Sequence, residues 1–297
     1  MAHLFTRMLA ALALCASFTA HAAPGDLDTT FGSGTGKVIT AIGAGEATAN
    51  ALAVQPDGKI VVAGSCSNGN DVDLCIARYN TNGALDATFG NGGKVLTNVA
   101  DNGDNAYAIA VQPDGKIVVA GSCLIIITNS CLARYSANGV LDITFGTDGI
   151  AAPFITLYGN VANALAIQPD GKLVIVAQCY HGGTGLDFCL ARFSANGELD
   201  PTFGSAGLVF TDISIYDDIP RALVVQPDGK ILVAGSCSDT FCLARYNANG
   251  VLDATFGSSG TVIVFSGGTN IGRALALLHD GRIVIAGECF FGGWDFC

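Results

Sequence analysis

Residues 51–66 read ALAVQPDGKIVVAGSC. An apolar run meets Pro56-Asp57-Gly58, and a second apolar run starts almost at once. Pro presets φ, Asp bonds its own backbone and Gly accepts a positive φ, so the stretch predicts two antiparallel strands joined by a tight turn. The segment QPDGK returns at 55–59, 112–116, 168–172 and 226–230, and Leu278-His279-Asp280-Gly281-Arg282 is a worn fifth copy. A second motif, LDxTFG, begins at 27, 85, 141, 199 and 252, and Ala-Arg-aromatic lies between the two at 77–79, 133–135, 191–193 and 244–246.

Outward from the turn, each unit of about 57 residues reads as four short strands. In the first unit these are Ala51–Val54, Ile60–Ala63, Leu74–Tyr79 and Lys94–Thr97, with an Asn82-Gly83 turn before the last. The strands are apolar on both faces and nothing sustains a helical period, which is expected of sheets stacked face to face. Four-stranded units that cannot bury their faces alone do so against neighbours, and radial repetition of such units makes a β-propeller. The expected fold is all-β: a five-bladed β-propeller of four-stranded antiparallel blades. It forms a single domain over 23–297, closed by the N-terminal strand Lys37–Ala41 completing the last blade.

These residues, VQPDGK, IVVAGS, CLARYNANG and LDATFG, resemble the delta-60 repeat, a β-propeller family of secreted bacterial proteins classed as a domain of unknown function. The resemblance covers essentially all of 27–297. It implies a propeller and export and no agreed activity. Leu278-His279 in place of Gln-Pro, and Ala177-Gln178 in place of Gly-Ser, depart from the pattern.

Residues 1–22 read as a signal peptide: Arg7, an apolar run from Met8 to Ala20, and the small-x-small site Ala20-His21-Ala22. The run is too short to span a bilayer. Export to the periplasm or beyond is expected, with no transmembrane segment. Of the 11 cysteines in the chain, only Cys15 lies in the signal. The other ten form local pairs, one per unit: Cys66 with Cys75, Cys123 with Cys131, Cys179 with Cys189, Cys237 with Cys242, and Cys289 with Cys297. Each pair flanks one hairpin loop, so disulfides are expected in an exported chain. Zinc would want four ligands together, whereas these pairs would be spread one per blade, and no metal or cofactor is expected.

The 297 residues are 50% apolar and 13% charged with net charge −11, which excludes disorder and argues against nucleic acid as a partner. Recurrence assigns Asp57, Lys59, Arg78, Asp86 and their equivalents to turns and packing. The Gly-rich 32–36 is one of five such turns, with no helix after it to hold a phosphate. Candidates for function are instead the residues that break the repeat, in the loops entering the first strand and carrying the cysteines. They are Asp104, Tyr158, Tyr180, His181, Tyr216, Asp217, Asp218, Arg221, Arg273 and Trp294. Aromatics, amides and carboxylates on one face suit a glycan, peptide or protein ligand. The leading expectation is a monomeric, non-catalytic binding module. The alternatives are a carbohydrate-active hydrolase, pairing Asp217 or Asp218 with Asp104 or Asp71, or a structural envelope protein. Asp71-Val72-Asp73 lacks the remainder of a calcium-loop signature, and no Gly-x-Ser-x-Gly elbow supports a serine nucleophile.

Overall fold

The Pro-Asp-Gly turns do join strands, and every strand that follows pairs with the one before it. The computed structural model describes residues 25–100, 103–124, 128–153, 155–156, 159–181, 185–265 and 268–297, so the expected signal at 1–22 lies outside the described residues. The first sheet holds β1 (Ala47–Val54), β2 (Ile60–Ser67), β3 (Val72–Tyr79) and β4 (Lys94–Thr97). The second holds β5 (Asp104–Val111), β6 (Ile117–Leu124), β7 (Thr128–Tyr135) and β8 (Ile150–Ala151). The third holds β9 (Asn160–Ile167), β10 (Leu173–Tyr180), β11 (Leu186–Phe193) and β12 (Leu208–Thr211). The fourth holds β13 (Asp218–Val225), β14 (Ile231–Cys237), β15 (Thr240–Tyr246) and β16 (Thr261–Val264). A three-stranded fifth holds β17 (Asn270–Leu277), β18 (Ile283–Phe290) and β19 (Trp294–Phe296). All are antiparallel meanders, and no helix occurs among the described residues.

The sheets stack in chain order, each first strand lying beside the next one, from β1 through β5, β9 and β13 to β17. The core is therefore divided into layers. Ile117 and Val119 of β6 pack toward the first sheet, while Val118 and Ala120 of the same strand pack toward the third. Further layers lie between the third and fourth sheets and between the fourth and fifth. Strands apolar on both faces are what this stacking requires.

The first three units are also each latched to the next by their repeated charges. Arg134 of β7 bonds Asp142, lies 4.8 Å over the Phe145 ring and donates to the Ala195 carbonyl of the following unit. Lys116 reaches the same Asp142 carboxylate, 3.1 Å away. Arg78, with Asp86 and Phe89, bonds Ala137 in the same way, and Arg192, with Asp200 and Phe203, bonds Ala248. The Gly after Phe89, Phe145 and Phe203 donates to the next unit's turn, as from Gly90 to Asn138 at 2.8 Å. The third strands carry a matched pair as well. Tyr135 and Tyr246 donate to Thr97 and Thr211 of the preceding sheet, each at 2.8 Å. Where that residue is Pro153, the aromatic is Phe193, which has no hydroxyl to satisfy.

The N-terminal segment docks on the first sheet through these same contacts. Gly32 donates to Asn82, and Tyr79 donates to Thr40. Lys37–Ala41 thus lies where the outer strand of a preceding sheet would lie. Its expected pairing with the last sheet, and packing of β17 on β1, are not found among the described residues. The outer faces of the end sheets accordingly stay open, with Leu52, Val54, Val284 and Phe296 exposed.

Five disulfides join Cys66–Cys75, Cys123–Cys131, Cys179–Cys189, Cys237–Cys242 and Cys289–Cys297, with Cα atoms 5.7–6.0 Å apart. Cys66 lies opposite Asp73, and Cys75 lies opposite Gly64, so the bridged residues are diagonal neighbours on one face of the hairpin.

Candidate functional site

Antiparallel order sends the Pro-Asp-Gly turns to one end of the stack. The cysteine loops and the loops entering each first strand go to the other. That second end gathers the residues that differ between units, and two structural devices present them.

The first is a β-bulge at the same place in every first strand. The register slips between Ala49 and Ala51, Ala106 and Ala108, Ala162 and Ala164, Pro220 and Ala222, and Gly272 and Ala274. The extra residues are Asn50, Tyr107, Asn163, Arg221 and Arg273, and a bulge re-aims the side chain it carries. Asn50 and Asn163 use theirs to bind the next sheet, donating to Ala106 and Pro220 at 2.8 and 2.7 Å. Among the described residues, Arg221 and Arg273 make no such latch. Arg273 pairs with Glu288 at 2.9 Å. Arg221 is half-buried with Nε unpartnered, and desolvation, reinforced by the Arg273 charge, moves its pKa down.

The second device is the junction of the third and fourth sheets. Asp217 Oδ1 accepts from the Leu186 amide at 2.9 Å, tying the loop before β13 to the start of β11. The adjacent Tyr216 ring is 65% exposed. Tyr216 and Asp217 line a shallow depression of about 400 Å³ with Ser238 and Asp239. Those last two form the two-residue turn between β14 and β15, with φ of 45° and 62°. A turn with two left-handed residues favours Asn-Gly, so Ser-Asp there stores strain beside an open surface. His181 lies flat on Phe210, with ring centroids 4.1 Å apart, and Tyr180 precedes it half exposed.

The sequence-derived candidates therefore divide. Tyr180, His181, Tyr216 and Asp217 come together at the third and fourth sheets. Arg221 and Arg273 meet at neighbouring bulges. Trp294 stands at the start of β19, edge-on to Phe290 at 5.5 Å. Tyr158 lies outside the described residues.

Asp104 and Asp218 correct the surface reading, because both are fully buried. Each carboxylate folds back on the loop before its strand. Asp104 accepts from the Val99 and Ala100 amides, and Asp218 accepts from those of Ile213 and Ser214. Burial raises both pKa values against those bonds. The carboxylates of the alternative hydrolase pairing belong to different sheets, Asp71 and Asp104 to the first two and Asp217 and Asp218 to the junction of the third and fourth. The sequence alignment of the units places Arg221 and Arg273 where others have Asn50 and Asn163, but it missed Tyr107 and the bulge itself, because a register slip leaves no mark on residue type.

Comparison with known proteins agrees with this architecture. The family described as "Domain of unknown function (DUF5122) beta-propeller" matches residues 55–89, 112–145, 168–203 and 226–256, the central part of each of the first four units. No curated protein matches the chain. Among solved structures, a protein of unknown function from Dyadobacter fermentans is 11% identical with a TM-score of 0.52, over 82% of this chain and 75% of that one. The periplasmic gluconolactonase of Pseudomonas aeruginosa is 16% identical with a TM-score of 0.49, over 83% and 70%. A protein of unknown function from Bacteroides caccae is 12% identical with a TM-score of 0.48, over 82% and 72%.

Proposed function

We propose, from four units that match a β-propeller repeat family of unknown function, that the five sheets are propeller blades of an exported, non-catalytic binding module. Its ligand is a glycan held on the cysteine-loop end. Five disulfides fit an oxidising, exported environment, and among the described residues no helix is long and apolar enough to cross a membrane.

One observation carries the reading: an exposed Tyr216 ring lines a depression walled by Asp217 and by Asp239, the latter in a turn of two left-handed residues. An aromatic face beside carboxylate acceptors suits the apolar face and hydroxyl groups of a sugar ring. A glycan array followed by calorimetry on the disulfide-intact protein tests it. Tyr216→Ala should weaken binding about tenfold or more, the equivalent of about 1.4 kcal/mol, without changing the melting temperature. Absence of any glycan ligand, or binding indifferent to Tyr216, overturns the reading; capture of a peptide instead would make the module a peptide binder.

A further inference from the structure

At positions opposite the first cysteines of the units, three pairs of adjacent sheets meet through buried Asx side chains. Between the second and third sheets these are Asn129 and Asn160. That pair is neutral and satisfied: Asn160 donates to Asn129 at 3.4 Å and accepts from the Ser130 amide at 2.8 Å. Between the first and second sheets they are Asp73 and Asp104, and there Asn68 supplies a donor, its amide reaching Asp73 at 2.9 Å and also Asp71.

Between the third and fourth sheets the same positions hold Asp187 and Asp218, with Asp212 added at the rim. One carboxylate oxygen from each of the three lies within 4.8 Å of the others. Asp187 is 1% exposed, Asp218 is fully buried, and among the described residues the Asp187 Oδ2 has no hydrogen-bond donor. No Lys or Arg ion pair relieves the group among the described residues, and what offsets burial at Asp187 is the neighbouring exposed His181, through its ring and its backbone amide. The junction of the first and second sheets also buries two carboxylates, each with one unpartnered oxygen, but among the described residues only here does a third carboxylate join them within ligand reach, and that makes the group a site for a cation. Buried charge without a partner is otherwise strongly disfavoured.

We infer that Asp187, Asp212 and Asp218 bind a divalent cation, calcium by the chemistry of the donors, and that it clamps the third sheet to the fourth. The donors are all oxygen and all hard, the set calcium takes in preference to zinc or copper. Asp212 at the surface gives the ion its way in, and water completes the shell. The ion neutralises charge at the root of the loop that carries Tyr216 and Asp217, so it also steadies the proposed binding depression.

The test uses disulfide-intact protein stripped with chelator and titrated with calcium chloride, read by calorimetry and by thermal melting. One calcium should bind per chain and raise the melting temperature by about 3 °C or more at saturation. Asp212→Asn, a change at the exposed rim, should weaken calcium binding at least tenfold while leaving the calcium-free melting temperature within a degree or so. Asp187→Asn should abolish the calcium response and melt, without calcium, no lower than the unsubstituted protein, because an amide relieves the repulsion. No heat and no calcium-dependent shift in the unsubstituted protein would overturn the inference, as would an unchanged response in Asp212→Asn. Neither readout involves the glycan, so failure here is distinct from failure of the binding-module reading.

Discussion

Asp142 shows what a single repeated carboxylate does. Its Oδ1 accepts from Thr144 through both hydroxyl and amide, and its Oδ2 is shared by Arg134 and Lys116. The Thr144 hydroxyl, then the cations, hold its pKa well below the usual carboxylate range, against the opposing effect of burial. Asp86 and Asp253 are depressed by the same set of partners, Thr88 and Thr255 foremost. Asp142→Asn leaves the Arg134 guanidinium over Phe145 without its counter-charge, and we expect a loss of about 1–3 kcal/mol at pH 7 by urea unfolding. The pH dependence has a definite sign. A folded pKa below the unfolded value of about 3.9 contributes stability that is fully present above that value and is lost as pH falls toward the folded one. The gap in melting temperature between the unsubstituted protein and Asp142→Asn should therefore be constant from about pH 8 to 5 and shrink below about pH 4. A gap that stays constant into acid would show that the carboxylate charge is not what stabilises.

At the scale of the hairpin, each disulfide closes a loop of 5 to 10 residues. Loops of this size correspond to about 2–3 kcal/mol in the chain-entropy account. Replacing Cys123 and Cys131 together by Ala should lower stability by that amount in denaturant unfolding. Replacing one alone should cost more, by leaving a buried thiol able to mispair. The hairpins were legible in the sequence because their signals are local: Pro-Asp-Gly specifies a turn wherever it stands, and cysteines flanking one loop have few other partners. The sheets followed, since strands apolar on both faces must be covered twice. The bulges were not legible. Asn50, Tyr107, Asn163, Arg221 and Arg273 share a backbone event and no chemistry, and that event is set by pairing with the second strand. Asp104 and Asp218 misled for a related reason. An acid beside a loop reads as solvated, whereas here the loop turns its own amides inward and requires a buried acceptor.

For the whole molecule, stacking in one direction gives interior sheets two covered faces and the end sheets one. β6 and β10 are buried along nearly their whole length, whereas β1 is largely exposed and β18 is exposed at alternate residues. The latches run out in the same way: Arg245 stacks on Phe256 at 4.4 Å and bonds Asp253, but among the described residues makes no bond to a following turn such as Arg134 makes to Ala195. In a repeat array, stability is a sum over units and their interfaces, so opening should begin where an interface is missing. Native-state hydrogen exchange should find the amides of β6 and β10 slowest, β14 close behind, and β1 and β18 faster by orders of magnitude. The cysteine cross-links should not erase this gradient, because each lies within one hairpin and ties no sheet to another. Equal protection of β1, β18 and β10 would refute it, and would mean that in solution the outer faces of the first and fifth sheets are covered, by each other or by a second chain. Dilution separates those two cases: coverage by a second chain weakens as concentration falls, and coverage within one chain does not.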